Sequence, residues 1–225
     1  MRDELRELAA PLVDAVIAHP FWQGVREGTL PPDSLWYFAE QDARFAVPAY
    51  ARALARAAAV ADRHEDSAVL CGAASATLDA VARMDGELAE LALELGRATP
   101  PDAPSEAPRV SPATHAHTCF LLGAPASSFA AGLGGLLPMT WFHQRLSLDL
   151  RERTDPGSRY AAWIDRYIPE SGFHDYVEAY LSMVDAFSVN CSANDRSALA
   201  AAFLHGAGHE WEFAESAWRL QHWDV

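Results

Sequence analysis

Two acidic residues stand on otherwise apolar helical stretches of the sequence, and they are its strongest candidates for acid–base chemistry. Asp42 lies in LWYFAEQDARFAV, with Phe45 following one turn later. Glu210 lies in FLHGAGHEWEF, where Gly206 one turn earlier leaves the space that a pocket needs. A carboxyl buried on such a face has a raised pKa and can donate or accept a proton. From periodicity alone, the alternative is a structural carboxylate held by a helix cap or a salt bridge.

Histidines and aromatic residues suggest two further kinds of site. His205 and His209 are spaced four residues apart and could share a metal ion. However, no acidic residue stands three positions before any histidine, so the Glu-x-x-His pattern of helical di-iron sites is absent. We therefore predict no metal and no other cofactor. The aromatic stripe Trp36, Tyr37, Phe38 and Phe45 is more typical of a core, although a planar ligand stacked near Asp42 is compatible with it.

Composition excludes several other functions. The 225 residues carry a net charge of −14, which disfavours nucleic acid and membrane surfaces as partners. All 17 basic residues are arginine, so Schiff-base and P-loop lysine chemistry are excluded, and neither G-x-S-x-G nor G-x-G-x-x-G occurs. Three scattered cysteines, an acidic N-terminal stretch and the lack of a long apolar run predict a cytoplasmic protein.

The elements that must position these residues are predicted to be helices only. Helix formers are abundant and β-branched residues are scarce, so we expect an all-α fold of seven or eight helices in one domain over residues 1–225. HPFWQGVREGTLPP, the proline-rich RATPPDAPSEAPRV and Gly123-Ala124-Pro125 should interrupt the helices, and Pro48 should bend one. The expected helices cover about residues 1–18, 34–60, 65–95, 112–122, 125–151, 159–167, 173–189 and 194–218.

Five segments in order resemble the TenA / thiaminase II family of the heme-oxygenase-like superfamily. They are HPFWQGVREGTLP at 19–31, followed by Gln41-Asp42, then SPATHAHT at 111–118, LLPMTWFHQ at 136–144, YAAWIDRY at 160–167 and HEWEF at 209–213. The resemblance implies a heme-oxygenase-like helical bundle and a homo-oligomer, either a dimer or a tetramer. It also implies hydrolysis of small aminopyrimidines in thiamin salvage, without a metal.

Carried over position by position, the resemblance assigns most of a binding site. Asp42 matches the aspartate that holds the aminopyrimidine, and Glu210 matches the glutamate that donates a proton. Tyr167 matches a pocket tyrosine and Phe45 an aromatic residue that flanks the ring. His117 and His143 stand where typical members have tyrosines.

Met139 occupies the position of the family's nucleophilic cysteine. A thioether cannot form a thiolate, so attack by sulfur on the pyrimidine is excluded at this position. Cys119 is two residues beyond His117, or about 200° round a helix, so both cannot face one pocket. We therefore predict direct attack by water, assisted by Glu210 and by Asp42 or His143. Two alternatives remain. One is a diverged enzyme of another, secondary pathway, which needs a metal if it catalyses an oxidation. The other is a ligand-binding or regulatory protein without catalysis.

Overall fold

The structure is a computed structural model that describes residues 1–97 and 108–224. Within these ranges the chain forms ten α-helices and one π-helical turn, and no strand. The all-α prediction is therefore confirmed. The helices are α1 (Arg2–Ile17), α2 (Pro20–Glu27), α3 (Pro32–Gln41), the π turn (Asp42–Ala46), α4 (Val47–Ala59), α5 (His64–Glu94), α6 (Pro112–Ser127), α7 (Phe129–Arg153), α8 (Ala161–Tyr167), α9 (Gly172–Asn190) and α10 (Ala193–Arg219).

Two differences explain why the structure has more helices than predicted. The segment expected to break the chain contains α2, because the His19 ring accepts a hydrogen bond from the Phe21 N–H and Pro20 occupies the first helical position. Gly28 ends this helix with a φ of +72°, which favours glycine. The single helix predicted over residues 34–60 is divided by the π turn, just before Pro48.

A break predicted at Gly123-Ala124-Pro125 lies slightly later in the structure. Helix α6 continues through Pro125 to Ser127, and Ser128 then caps α7 by accepting a hydrogen bond from the Ala131 N–H. The predicted proline-rich loop falls mainly on residues 98–107, which lie outside the described residues.

Helices α7 and α10 form the centre of the bundle and meet at the level of their backbones. A Cβ atom on Gly134 would lie 2.1 Å from the Leu199 carbonyl oxygen, and one on Gly206 would lie 2.7 Å from the Gly135 carbonyl oxygen. Only glycine permits this approach. Gly206 therefore serves helix packing and does not line the cavity described below, which corrects the pocket role that its spacing from Glu210 suggested. One hydrophobic core cluster includes residues from every described helix.

The segment HPFWQGVREGTLP acts mainly as a clamp on α8. The Leu30 carbonyl accepts hydrogen bonds from the Tyr160 hydroxyl and the Arg159 guanidinium, and the Val25 carbonyl accepts one from the Ser158 hydroxyl at 2.9 Å. A motif found by resemblance to a family thus has a physical role here, since it fixes the short helix that carries Tyr167. None of the helices in the described ranges has the length and apolar character needed to cross a membrane.

Candidate active site

A cavity of about 780 Å³ is lined by residues from all ten helices, from the π turn and from the segment that leads from α8 to α9. Its volume is within the range of sites that bind small organic ligands. The structure brings six of the seven predicted site residues to its wall: Asp42, His117, Met139, His143, Tyr167 and Glu210. These six residues come from five elements of the chain and converge on one space.

Phe45 is the predicted site residue that does not line this cavity. The prediction rested on the family resemblance and on the expectation that a residue three positions after Asp42 shares its helical face. In a π turn the hydrogen bonds run from i to i+5, which places one more residue in the turn and rotates later side chains backwards. Ala46 and Val47 accordingly face the cavity beside Asp42. Of the predicted aromatic stripe, only Phe38 lines the cavity.

Asp42 and Glu210 face the cavity without an arginine partner among the described residues. This argues against the structural alternative of a salt-bridged carboxylate. Burial raises the pKa of Asp42 from 3.8 to about 7. Burial, and then the charge of Asp42, raises the pKa of Glu210 from 4.5 to about 8. The two carboxyl groups can therefore hold and exchange protons near neutral pH.

His117 is a buried, uncharged neighbour of Glu210. Its Nε2 lies 3.6 Å from Glu210 Oε1, and its ring stacks on His209 with the centroids 5.2 Å apart. Burial, together with the nearby His209, lowers the pKa of His117 to about 3. The buried His117 Nδ1 and Glu210 Oε1 find no hydrogen-bond partner among the described residues, so both remain available to a ligand.

His143 is held in one tautomer by the backbone. Its Nε2 lies 3.1 Å from the Tyr167 carbonyl oxygen, which can only accept a hydrogen bond. Burial lowers the pKa of His143, although this hydrogen bond opposes the effect. The neutral ring therefore carries its proton on Nε2, and Nδ1 is left as a hydrogen-bond acceptor.

Tyr167 belongs to an aromatic wall built on the clamped helix α8. Its ring stacks on Trp163 at 4.8 Å and lies 5.4 Å from Trp22, and Phe38 packs edge-on at 6.1 Å. Burial, followed by the charges of Asp42 and Glu210, raises the pKa of Tyr167 well above its usual range. Tyr167 therefore keeps a neutral hydroxyl group. Together with its aromatic neighbours it forms an apolar wall that suits a planar heteroaromatic ring.

Met139 lines the cavity, whereas the cysteines do not. Cys71 and Cys119 are exposed and Cys191 is partly buried, and none of the three contributes to the cavity wall. Cys119 contacts His115 on the outer side of α6. A thiolate nucleophile is therefore not provided by the described cavity, in agreement with the spacing argument for Cys119.

Besides Thr77, whose hydroxyl donates to the Ala73 carbonyl, three hydroxyl-bearing residues of the cavity were missed by sequence reasoning: Tyr50 on α4, Thr140 on α7 and Tyr176 on α9. The phenol oxygens of Tyr50 and Tyr176 are 3.1 Å apart. Thr140 directly follows Met139, and Tyr50 lies two turns after Asp42. The positions of both, relative to a predicted site residue, could therefore have identified them from the sequence. Nothing in the sequence near Tyr176 marks it.

The two histidines considered for metal binding lie apart from the cavity wall. His205 is exposed, and the partly buried His209 contacts His117 and Phe120. Within the described ranges, no group of three or more histidine, cysteine or acidic side chains is arranged to hold a metal ion.

Comparison with known proteins agrees with this arrangement of helices. Aminopyrimidine aminohydrolases of Bacillus subtilis (strain 168) and Halalkalibacterium halodurans are 28% and 26% identical to the chain, each over 98% of it and over 91% and 96% of their own lengths. The crystal structure of a TenA family transcription regulator from Silicibacter sp. TM1040 superposes with a TM-score of 0.80 at 22% identity, covering 97% of this chain and 96% of that one. The sequence profile of the TENA/THI-4/PQQC family matches residues 6–220, and the chain belongs to this family.

Proposed function

We propose that the protein hydrolyses a carbon–nitrogen bond of a small aminopyrimidine related to thiamin. The observation that carries the proposal is a pair of carboxyl groups with raised pKa values in a cavity with a flat aromatic wall. Two relatives similar to the chain along nearly its whole length are named aminopyrimidine aminohydrolases, which supports the same class of substrate.

Asp42 is the group proposed to hold the pyrimidine. An aminopyrimidine presents a ring nitrogen and an exocyclic amine side by side, and a carboxyl group can bind both through two parallel hydrogen bonds. Asp42, with a pKa of about 7, can share a proton with the ring nitrogen near neutral pH. The ring would then lie against Tyr167, whose stacking partner Trp163 fixes the surface.

Glu210 is proposed to donate the proton to the leaving nitrogen. With a pKa of about 8, this carboxyl group is largely protonated at pH 7. As the oxygen of water bonds to the exocyclic carbon, the carbon–nitrogen bond breaks and the nitrogen leaves with the proton of Glu210. The proton lost by the water passes to a base, for which the ionised Asp42 and Nδ1 of His143 are the candidates.

Met139 shapes this cavity in place of a nucleophile. Because its thioether has no ionisable proton, water has to attack the substrate directly. Catalysis then depends on general acid–base groups, which typically contribute about 10²- to 10⁴-fold to the rate.

The test is incubation of the purified protein with thiamin, aminopyrimidine and formylaminopyrimidine, followed by mass spectrometry. We expect the hydroxymethyl or deformylated pyrimidine as product, and no product with Glu210→Gln. The matched control is Glu212→Gln, since Glu212 is exposed on the same helix and does not line the cavity. Equal turnover by Glu210→Gln and the parent would refute the assignment. Binding of these compounds without product would instead favour a ligand-binding role.

A further inference from the structure

The residue before Asp42 has a buried side chain whose amide bonds to a distant part of the chain. Gln41 is 3% exposed. Its Nε2 donates a hydrogen bond to the Arg109 carbonyl oxygen, and its Oε1 accepts one from the Ser111 N–H, both at 2.9 Å. Because the carbonyl only accepts and the N–H only donates, the amide has one orientation here. A single side chain therefore ties the end of α3 to the residues that lead into α6.

Residues 109–111 are also held by the segment that follows α10. The Trp223 indole N–H donates to the Val110 carbonyl oxygen at 2.9 Å. The Tyr37 hydroxyl donates to the Gln221 carbonyl oxygen at 2.7 Å, which fixes that segment on α3. Three consecutive backbone positions at the start of α6 are therefore fixed, and the amide described above bonds to the first and the third of them.

Gln41 is connected to both acidic residues of the cavity, to one directly and to the other through α6. It is the last residue of α3, and Asp42 begins the π turn. His117 follows Ser111 by six residues, or roughly 9 Å along α6, and its Nε2 lies 3.6 Å from Glu210 Oε1. The Gln41 amide therefore links the backbone that carries Asp42 to the helix whose histidine contacts Glu210.

The position of the Asp42 side chain depends on its backbone. Burial alone accounts for the raised pKa of Asp42, and no hydrogen bond from the described residues to its carboxyl group contributes. The turn that carries it is a π turn, which closes its hydrogen bonds over one residue more than an α-helix does and is rare in proteins. A return to α-helical geometry would rotate Asp42 and α4 relative to each other by about 100°. Contacts of neighbouring residues therefore have to hold the turn, and Gln41 makes two of them.

We propose that Gln41 is a positioning residue, whose amide holds the π turn against the start of α6 and so sets the placement of Asp42 relative to His117 and Glu210. Gln41 does not line the described cavity, so it acts through Asp42. A misplacement of about 1 Å in a reacting group can lower the rate about 10²-fold, so this tie matters for turnover. The inference rests on the proposed function for the roles of the two carboxyl groups.

Two variants separate the hydrogen bonds of Gln41 from its volume. In Gln41→Glu, the protonated carboxyl group has nearly the same shape, donates its O–H to the Arg109 carbonyl and accepts from the Ser111 N–H, so both bonds are kept. The ionised carboxylate can only accept, so the bond to Arg109 is lost. Gln41→Met keeps a similar volume and removes both bonds at every pH. The matched control is Tyr180→Phe, which removes a buried hydrogen bond to the Leu133 carbonyl, at 3.0 Å, away from the cavity.

The first measurement is kcat/KM against pH for an aminopyrimidine that the parent hydrolyses, at a temperature where every variant is folded. We expect Gln41→Met to lose at least about tenfold at every pH. Gln41→Glu should match the parent at acidic pH and approach Gln41→Met as its new carboxyl group ionises. Tyr180→Phe should melt lower than the parent, because it loses a buried hydrogen bond, and should keep the parent's pH profile. This control separates positioning from stability.

The second measurement does not depend on turnover. The ¹³C carboxyl resonance of Asp42, assigned by its loss in Asp42→Asn, gives the pH at which Asp42 titrates. We expect a midpoint near pH 7 in the parent and in Tyr180→Phe. In Gln41→Met the midpoint should fall to about pH 6 or lower, because a loosened turn lets water reach the carboxyl group.

The outcomes distinguish the inference from the proposed function. If Gln41→Met keeps the parent's kcat/KM, or if Gln41→Glu is as impaired as Gln41→Met at acidic pH, Gln41 only stabilises the fold and the inference is wrong, while the proposed function stands. If the parent hydrolyses none of the aminopyrimidines, the proposed function fails and the titration decides the inference. A lower midpoint in Gln41→Met then supports the positioning of Asp42, and an unchanged midpoint overturns it.

Discussion

Replacing Glu210 with glutamine should abolish turnover and at the same time stabilise the protein above neutral pH. Glutamine keeps the size and shape of the protonated carboxyl group but has no proton to donate and no charge. Glu210 Oε1 is buried without a hydrogen-bond partner among the described residues, so ionisation of this side chain in the folded state is unfavourable. At this position glutamate is needed for turnover, whereas glutamine gives the more stable protein.

The size of the stabilisation follows from the pKa of Glu210. Its value of about 8 in the folded protein lies above the ordinary 4.5, so the folded state holds a proton that the unfolded state loses. The free energy of unfolding of the parent therefore falls as the pH rises from about 4.5 to 8. A difference of one in pKa corresponds to about 1.4 kcal/mol, so the full loss by pH 8 is at most about 4 kcal/mol. The side chain is 19% exposed, and solvent screening reduces this value.

The assay is thermal unfolding of the parent and of Glu210→Gln between pH 5 and pH 8.5, with turnover measured on the same samples. We expect a gain of at least about 1 kcal/mol for the variant at pH 8, which is about 2–4 °C in Tm for a chain of this size. The gain should shrink towards pH 5. Glu212→Gln, exposed on the same helix, should show no comparable pH-dependent gain.

Two results would contradict this reasoning. A Tm difference between Glu210→Gln and the parent that is constant from pH 5 to pH 8.5 would mean that the carboxyl group is not destabilised by burial. A stabilised variant that still turns over substrate would mean that Glu210 is buried but does not donate the proton.

Three further predictions concern pH, the missing thiol and the helix contact. The proposed reaction needs Asp42 ionised and Glu210 protonated, so a plot of kcat/KM against pH should be a narrow bell with its two limbs near pH 7 and pH 8. A flat profile from pH 6 to pH 9 would contradict these roles. Iodoacetamide should leave the parent active, because the cysteines of the protein lie off the cavity wall. The variant Met139→Cys should be inactivated by iodoacetamide. Inactivation of the parent would point to a cysteine mechanism. Gly206→Ala should lower the free energy of unfolding in urea by about 1–3 kcal/mol, because its Cβ would meet the opposing backbone. Gly208→Ala, on the same helix with open space, should raise it by about 0.5–1 kcal/mol, and equal effects would refute the packing argument.

Helix positions could be predicted from the sequence because local signals determine them. Apolar spacing, caps and proline positions depend only on residues within a few turns of each other, and most predicted helices lie close to their observed bounds. The division of residues 34–60 into α3, the π turn and α4 had one local signal, Pro48, which lacks the N–H needed to continue the preceding turn. Whether the chain responds with a kink or with an extra residue in the turn depends on packing against other helices.

The two errors about neighbours of the carboxyl groups share one cause. Phe45 and Gly206 were both expected to share a face with a functional residue on an ideal helix, and the family resemblance also assigned Phe45. The π turn rotates Phe45 away from the cavity, and the close approach of α7 gives Gly206 a packing role. A period of 3.6 residues predicts which side of a helix a residue occupies, but not what the neighbouring helix places there.

Site residues that depend on contacts between distant helices required the structure. Tyr50 and Tyr176 are separated by 126 positions, and no local pattern indicates that their hydroxyl groups meet. Asp42 and Glu210 were predicted because each interrupts an apolar face, which is a local signal. Their effect on each other, seen in the raised pKa of Glu210, is a property of the assembled cavity.

Buried polar groups without partners are the clearest sign that this cavity is a site rather than a packing defect. Leaving such a group unsatisfied costs about 1–3 kcal/mol, so folded proteins keep few of them. Two of the atoms of this kind among the described residues are His117 Nδ1 and Glu210 Oε1, and both side chains line the cavity. They come from two different helices, α6 and α10, so a fault within one helix does not account for them together. A ligand that satisfies these groups recovers the lost free energy on binding, which is why a fold tolerates them where a ligand binds.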